Sequence, residues 1–371
     1  MVAHRKSKSI GARLRRLVRD LLGLQRANKR SPRAKAVEGP VFTHLWRSAV
    51  SASFHPDRFA IDQPNVLLFQ MGKVASTALT KALFSRGINC FHCHSLRYED
   101  EAGRLSQLFK AQPDLPLAAR ELKLLAKHTT LNMLVRWYRL NQVPFDRKLK
   151  VVTLTRDPVD WFISHFVQRF GRDASPLVEW HRHATGAGLV RDGAGTAAAE
   201  MFRQVGDIVV EARPSADVAS ARRKAMARVT TLNPPQPQLG RTIESALGPI
   251  SWFERQFTPL LDIDLRSLPE FRESGLAQRD LGSVEILVVR FEDFARHRGA
   301  ICRHVGLETL KVGQRNVTSE KPHAGPILQA GREFLATDLG LAFQRELRAT
   351  EYGRACGYDR AIEHSQSTSI Y

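Results

Sequence analysis

The sequence has few cysteines and no long apolar run, and both absences exclude classes of protein. Four cysteines in 371 residues are too few and too scattered for a secreted fold stapled by disulfides. No apolar run reaches the length of about 18 residues that a transmembrane helix needs. The N-terminus also lacks an apolar stretch followed by a small-residue cleavage site. These absences predict a cytoplasmic protein.

Acidic residues are scarce at one end of the chain. Asp and Glu number 37 against 56 Lys and Arg, which gives a formal charge of +19. Residues 1–36 hold twelve of the basic residues and one acid, Asp20, so the rest of the chain has a modest excess that suits an anionic ligand. Within residues 10–24, apolar side chains recur at helical spacing among arginines. An amphipathic helix on an anionic membrane surface is one interpretation of this pattern, and a solvated or partner-docked tail is the other. We interpret residues 1–40 as a basic tail and linker.

A strand, a helix and a second strand are predicted within about thirty residues. Residues 66–69 form an all-apolar run that is typical of a buried strand. A helical pattern begins at Ser76, continues to Arg86 and stops at Gly87. Residues 88–92 then have the pattern of a second strand. This unit predicts the α/β class, with a central parallel sheet flanked by helices.

The rest of the chain extends this pattern. Further predicted elements are a helix over 104–141, strands over 151–154 and 286–289, and a helix over 334–351. Residues 172–248 are rich in Ala, Arg and Gly, and they predict a helical subdomain inserted into a domain that spans 60–371.

A Gly-Lys turn lies between the first strand and the first helix. Such a turn directs backbone N–H groups and the positive end of the helix dipole at one point, which binds phosphate or sulfate. Lys73 adds a mobile positive charge, and Ser76 and Thr77 add hydroxyl donors. The loop of nucleotide kinases has a glycine where Leu67 stands and a Mg²⁺-binding Ser or Thr where Val74 stands. The turn therefore predicts a phosphate site without the usual Mg²⁺ ligand.

A second anion position is predicted after the third strand. Arg156 follows that strand, and Ser164 lies eight residues later in a predicted helix over 159–170. An arginine at the carboxyl end of a parallel strand, together with such a serine, can bind one further phosphate beside the first loop. Two anion positions at neighbouring strand ends indicate a nucleotide with phosphates at both its 5′ and 3′ positions.

Three segments resemble those of a known enzyme family. QMGKVAST (70–77) and TRDPVDWFIS (155–164) resemble the 5′-phosphosulfate loop and the 3′-phosphate motif of sulfotransferases that use 3′-phosphoadenosine 5′-phosphosulfate (PAPS). VVRFEDF (288–294) resembles the strand and turn that close their fold. The first segment is most similar to carbohydrate sulfotransferases and to bacterial proteins described as capsular polysaccharide synthesis proteins. The resemblance covers about 65–98 and 149–170, is looser over 285–357, and is absent from the first 60 residues and from 172–248. It implies a P-loop-like sulfotransferase fold.

The resemblance also implies roles for individual residues. PAPS would be the donor and adenosine 3′,5′-bisphosphate the product, with no metal. The residues implied on the 5′ side are Gly72, Lys73, Val74, Ala75, Ser76 and Thr77, with Lys73 also catalytic at the leaving oxygen. Arg156 and Ser164 would hold the 3′-phosphate. Lys321, in NVTSEKPH (316–323), either adds charge near that phosphate or is an ordinary surface lysine. The acceptor would be a hydroxyl of a glycan or glycolipid.

Two histidines after the second strand are candidates for the general base. Histidine is the side chain whose pKa best suits proton transfer near neutral pH. Strand alternation turns His92 and His94 to the same side. In the glycan sulfotransferases that this chain resembles, a histidine after the second strand is the base, which implies His94 first and His92 second. A structural histidine is the alternative, as is a base from Glu99, Asp100 or His165.

The same segment allows other interpretations. Cys90 to His94 also matches the C-x-x-C-H haem attachment pattern, and Cys90, Cys93 and a histidine could bind zinc. The missing export signal argues against haem, and the missing second ligand pair argues against zinc. Two other functions remain open. One is a nucleotide-dependent kinase. The other is a non-catalytic protein that binds glycan or nucleic acid through its basic tail, whereas the sulfotransferase interpretation expects no nucleic acid partner.

Overall fold

The computed structural model describes 65–74, 76–96, 147–186, 193–233, 235–312 and 321–360, with helical residues at 127, 128, 131, 132, 134–136 and 138–140. The chain divides into two units, 1–63 with 95–147 and 64–94 with 148–371. In the first unit, Asn132 Nδ2 donates to the Leu96 carbonyl at 2.8 Å. The predicted tail over 1–40, including its amphipathic segment 10–24, lies outside the described residues, as does most of the predicted helix over 104–141.

The second unit contains a five-stranded sheet. Its strands are β1 (Asn65–Phe69), β2 (Asn89–Cys93), β3 (Leu149–Thr155), β4 (Leu276–Asp280) and β5 (Val284–Arg290), in the order β2-β1-β3-β5-β4. All neighbours are parallel except β4, which is antiparallel to β5. The predicted α/β class with helices flanking a central sheet is confirmed, and the sheet, predicted to be parallel, is parallel except at β4. β4 was not predicted, because its sequence LAQRD is polar, as the sequences of edge strands often are.

The strand order places a change of winding direction beside β1. The chain runs from β1 to β2 on one side of it and then crosses to β3 on the other side. In open α/β sheets, ligands bind outside the carboxyl ends of the strands at such a point. The carboxyl ends of β1 and β3 lead directly to Gly72 and Arg156. The topology therefore brings the two predicted anion positions to one crevice.

The two helices that follow these strands begin as their sequences predict. Helix α1 (Ser76–Phe84) follows β1, and Gly87 ends this segment with a φ of +73°, a left-handed conformation that glycine adopts without strain. Helix α2 (Pro158–Phe170) follows β3. Asp157 caps α2, since its carboxylate accepts hydrogen bonds from the Val159 and Asp160 amides at 2.8 and 3.3 Å.

The predicted insertion is helical in its described part. It contains α3 (Ser175–Thr185), α4 (Gly193–Ala212), α5 (Val218–Thr230) and α6 (Pro237–Trp252), so its last helix continues past the predicted boundary at residue 248. A turn of π-helix, Phe253–Phe257, follows α6. The Phe202 ring of α4 stacks on the Phe334 ring at 5.9 Å. A Cβ at Gly206 would lie 2.8 Å from that ring, so the glycine permits this close packing.

The remaining helices complete the fold. They are α7 (Thr258–Leu261), α8 (Pro269–Ser274), α9 (Phe294–Val305), α10 (Ala324–Leu335), α11 (Asp338–Arg348) and α12 (Glu351–Ala355). The single helix predicted over 334–351 was wrong. The helix is interrupted at Thr337 and again at Thr350. The hydroxyls of these threonines accept hydrogen bonds from the amides of Gly340 and Gly353 and so cap α11 and α12. None of the described helices is long and apolar enough to cross a membrane.

Candidate functional site

The turn after β1 is held by two donors from the β3–α2 connection. The indole Nε1 of Trp161 donates to the Gly72 carbonyl at 2.5 Å, and Nη1 of Arg156 donates to the Lys73 carbonyl at 2.7 Å. The two sequence motifs are therefore in direct contact. Lys73 has a φ of +65°, a left-handed conformation that is uncommon for lysine and that is often found at functional sites.

These contacts orient the backbone amides of the turn. In a planar trans peptide the C=O and the following N–H point in opposite directions. Because the carbonyls of Gly72 and Lys73 point at Trp161 and Arg156, the N–H groups of Lys73 and Val74 point away from those two side chains. Neither N–H group makes a hydrogen bond in the described part of the chain. The turn thus presents two adjacent backbone donors just before the N-terminus of α1, which is an arrangement suited to an oxyanion.

The other predicted loop residues have different environments. The Val74 side chain is fully buried and offers the site only its backbone. Ser76 is a buried residue at the start of α1, and Thr77 is exposed. Ala75 lies outside the described residues.

Three partly buried cations interact electrostatically at this turn, and a fourth, Arg169, lies further along α2. Burial and then the charge of Asp157 raise the pKa of the Asp160 carboxyl, whose charge interacts with Arg156 without forming an ion pair. Lys73, Arg156, Arg169 and Lys321 make no ion pair within the described residues. Burial, followed by the charges of Lys321 and Arg156, lowers the pKa of Lys73 to about 8. Burial and the charge of Arg172 also lower the pKa of Lys321. Partly buried cations without carboxylates are costly unless an anion binds among them.

His165 lies among these cations. Its ring is 4.8 Å from the ring of Trp161, and its Nδ1 is buried without a hydrogen-bond partner among the described residues. Burial, with the charges of Lys73, Arg169 and Lys321, lowers the pKa of His165 to about 4. The imidazole is therefore neutral at pH 7, and it is a weak base there.

Arg156 is fixed by the C-terminal part of the chain. The Tyr352 hydroxyl accepts a hydrogen bond from the Arg156 amide at 3.1 Å and donates one to the Arg156 carbonyl at 2.8 Å. The guanidinium lies 5.1 Å from the centre of the Phe291 ring, and its Nε is buried without a partner in the described residues. Phe291 belongs to the VVRFEDF segment. Tyr352 was not predicted as a site residue, because nothing in its local sequence points to Arg156.

Asp157, which follows Arg156, is also fixed by several contacts. Asp157 forms a buried ion pair with Arg348, with 2.7 Å between the carboxylate and Nε. The Asp157 amide donates to the Glu292 carboxylate at 2.9 Å, and that carboxylate also accepts a hydrogen bond from the Tyr358 hydroxyl at 3.0 Å. These contacts fix the start of α2 beside the sheet.

Ser164 and Lys321 both lie along α2. Ser164 is half-buried, two turns into the helix, and its side chain makes no hydrogen bond in the described structure. The stem of Lys321 packs at the end of α2, where a Cβ added to Gly171 would lie 3.1 Å from its Cδ. The charge of Lys321 acts on Lys73 and His165. Lys321 is thus brought to the site, and its predicted place at the 3′-phosphate stays a prediction.

The two candidate bases lie together at the end of β2. The rings of His92 and His94 are 4.4 Å apart and meet edge to face, as strand alternation predicts. His94 is exposed, and its Nδ1 is 2.8 Å from the Gln70 carbonyl. A carbonyl only accepts, so Nδ1 carries the proton and neutral His94 has its lone pair on Nε2. Trp252 supports the same residue, since its indole donates to the His94 carbonyl at 2.7 Å.

The two cysteines of this segment lie inside the sheet. Cys90 and Cys93 are buried within β2. No group of three or more His, Cys, Asp or Glu side chains suited to a metal occurs among the residues that the structure describes. Glu99 and Asp100 lie outside those residues.

Comparisons with protein-family models, with curated proteins and with solved structures find no match to this chain.

Proposed function

We propose that the chain is a PAPS-dependent sulfotransferase that acts on a hydroxyl of a glycan or glycolipid. The observation that carries this proposal is the 2.7 Å hydrogen bond from Arg156 to the Lys73 carbonyl, which joins the two predicted phosphate positions in one crevice. No carboxylate of the described residues lies within ion-pair distance of Lys73, Arg156 or Lys321, which supports an anionic ligand with more than one negative group.

The residues of the crevice fit such a nucleotide. The N–H groups of Lys73 and Val74 and the N-terminus of α1 would hold the 5′-phosphate. The guanidinium donors of Arg156 that the Lys73 carbonyl does not use, and the Ser164 hydroxyl, would hold the 3′-phosphate. Lys321 would add charge beside Lys73. A nucleotide without the 3′-phosphate would leave Arg156 unused, which is why we prefer this proposal to a kinase.

The proposed reaction needs alignment, charge stabilisation and one proton transfer. When bound, the nucleotide supplies the sulfuryl group that moves from its phosphate oxygen to the acceptor oxygen. Lys73 would stabilise the negative charge that develops on the leaving phosphate oxygen. His94 would accept the proton of the acceptor hydroxyl at Nε2, because the Gln70 carbonyl fixes the proton on Nδ1. Both side chains follow neighbouring strands, so the sheet would hold them in register.

Calorimetric binding of three nucleotides tests this proposal. We expect adenosine 3′,5′-bisphosphate to bind more tightly than adenosine 5′-monophosphate and than ATP with Mg²⁺. A charge-assisted hydrogen bond contributes about 1.5–3 kcal/mol, so Arg156→Ala should weaken the bisphosphate by roughly 10- to 150-fold. The same change also removes the donor to the Lys73 carbonyl, so the monophosphate should weaken as well, but by a smaller factor because that nucleotide has no 3′-phosphate.

The controls separate a local effect from a general one. Lys73→Met should weaken the bisphosphate and the monophosphate alike, since Lys73 lies on the 5′ side. Arg228→Ala, which removes an exposed arginine of α5, should change neither affinity. Tighter binding of ATP with Mg²⁺ would support the kinase instead, and an unchanged bisphosphate affinity in Arg156→Ala would refute the proposed site.

A further inference from the structure

His165 is a titratable side chain of α2 that the proposed reaction leaves unused. It follows Trp161 by four residues, which places the two side chains on the same face of the helix, one turn apart. Their rings are 4.8 Å apart, and the Trp161 indole donates to the Gly72 carbonyl. His165 is therefore one turn along α2 from the side chain that holds the glycine turn.

The two ring nitrogens of His165 have different surroundings. Nδ1 is buried without a hydrogen-bond partner among the described residues. Nε2 is not enclosed in this way, and it makes no hydrogen bond to another described residue either. A ligand can therefore reach this ring at Nε2, the nitrogen that remains accessible.

The charges that act on His165 are all positive. They come from Lys73 in the glycine turn, from Arg169 on the same helix and from Lys321, whose stem packs at the end of α2. Burial and then these three charges lower the pKa of the imidazole to about 4 in the free protein. An anion that neutralises the cations would remove much of the reason for this low pKa.

A nucleotide with two phosphates would match or outweigh the positive charge at the turn. Each phosphate carries about −1.5 to −2 near neutral pH, so the pair carries roughly −3 to −4. Lys73, Arg156 and Lys321 are the three cations that interact there, and the Asp160 carboxyl, the only acid of α2, acts against the charge of Arg156. The bound state therefore favours one more positive charge, and His165 is a neutral group placed to supply it.

We propose that His165 is a further ligand of the bound nucleotide, which it contacts through Nε2, and that it takes up a proton from solvent when the two phosphates enter the crevice. This inference rests on the proposed function. The protonated ring is a charged donor beside Lys73, and its Nε2–H donates to a phosphate oxygen. Because binding and protonation are linked, a lower pH should strengthen this contact.

Calorimetry in two buffers with different enthalpies of ionisation measures the proton uptake. With adenosine 3′,5′-bisphosphate at about pH 6, the difference between the two observed enthalpies gives the protons taken up per nucleotide. If the pKa of His165 in the complex returns to about 6.5, the wild-type protein should take up roughly 0.7 proton more than His165→Gln. Protons exchanged by the phosphates are measured in both proteins, so the difference belongs to His165. His165→Asn gives the same comparison if glutamine disturbs the fold.

The affinity should show the same linkage. Between about pH 7.5 and 5.5, the wild-type affinity for the bisphosphate should rise about tenfold relative to that of His165→Gln. His304→Gln is the matched control, because His304 also has a buried, unpartnered Nδ1 and a pKa of about 4. Its Nε2 lies 3.2 Å from the carbonyl of Val151, towards the amino end of β3. This variant should bind the bisphosphate and take up protons as the wild type does.

Proton NMR of the wild-type protein provides a second readout. The ring signals that are missing from His165→Gln identify His165. Their titration midpoint should move from about pH 4 in the free protein to about 6.5 or higher in the complex. A midpoint that the nucleotide does not move would overturn the proposal.

The proposal and the function on which it rests fail in different ways. If the bisphosphate binds with equal proton uptake in the wild type and in His165→Gln, the function stands and the role of His165 is overturned. If the bisphosphate does not bind the wild type, the sulfotransferase proposal fails, and inorganic pyrophosphate becomes the probe of the crevice. Pyrophosphate binding with a proton uptake that His165→Gln lacks would keep His165 as an anion ligand, and binding without it, or no binding, would overturn both.

Discussion

Replacing Trp161 by phenylalanine tests whether the glycine turn is preorganised. The indole of Trp161 is buried and donates to the Gly72 carbonyl at 2.5 Å. Phenylalanine keeps most of the packing and removes only this donor. The lost hydrogen bond should destabilise the fold by about 1–2 kcal/mol, since a carbonyl is left without its partner.

The same change should weaken nucleotide binding by a calculable amount. The peptide between Gly72 and Lys73 carries one of the two N–H groups that face the proposed 5′-phosphate. Without the indole, ligand binding must order this peptide, and ordering one residue costs about 1–2 kcal/mol. We therefore expect the dissociation constant for adenosine 3′,5′-bisphosphate to rise by roughly 5- to 30-fold.

Trp180 provides a matched control for this experiment. It is also buried, and its indole makes one hydrogen bond, to Gln236 Oε1 at 3.1 Å, within the inserted helices. Trp180→Phe should cost similar stability in urea unfolding and leave the nucleotide affinity unchanged in calorimetry. If Trp161→Phe binds the bisphosphate within twofold of the wild type, or if both variants weaken its binding equally, then the Trp161 indole does not preorganise the glycine turn.

Three further predictions concern titratable groups. Because only protonated Lys73 attracts an anion, bisphosphate affinity should fall as the pH rises through the free-protein pKa of about 8, and Lys73→Met should abolish this step in calorimetry at pH 7 and 9. His94→Gln keeps a donor for the Gln70 carbonyl but removes the proposed base. We therefore expect the nucleotide affinity to persist and turnover to fall by about 10²- to 10⁴-fold. Unchanged turnover would exclude His94 as the base. Burial lowers the pKa of His304 to about 4, so the unfolded chain takes up a proton at this histidine before the folded protein does. The free energy of unfolding should therefore fall by about 3 kcal/mol as the pH falls from about 6.5 to 4. Urea unfolding of His304→Gln should show a smaller fall over this range, and the same pH dependence as the wild type would contradict the lowered pKa of His304.

Much of the sheet could be predicted because its central strands are continuous apolar runs. Residues 66–69, 151–154 and 286–289 each lie within an observed strand, and the glycine turn follows the first of them. The pairing of His92 with His94 follows from the period of a strand. Local sequence was sufficient for these features because burial and alternation are local properties.

The contacts that hold the site could not be predicted in the same way. The indole of Trp161 reaches a carbonyl 89 positions earlier in the chain, and only the order of the strands brings the two together. The four-residue spacing of Trp161 and His165 is visible in the sequence, but the position of His165 beside Lys73 depends on how α2 packs. The helix ends at Thr337 and Thr350 have a local signal, since each threonine stands three residues before a glycine. The apolar periodicity across both positions nevertheless predicted one continuous helix.

The two hydrogen bonds between the Tyr352 hydroxyl and the Arg156 backbone join residues 196 positions apart. During biosynthesis the glycine turn, β3 and Arg156 all leave the ribosome well before that tyrosine is made. A nascent chain can thus form much of its sheet and still lack the hydrogen bonds that fix the Arg156 backbone. Binding of the proposed nucleotide should accordingly be acquired late, in the step that docks α12, and nucleotide added during translation would favour chains that have reached it.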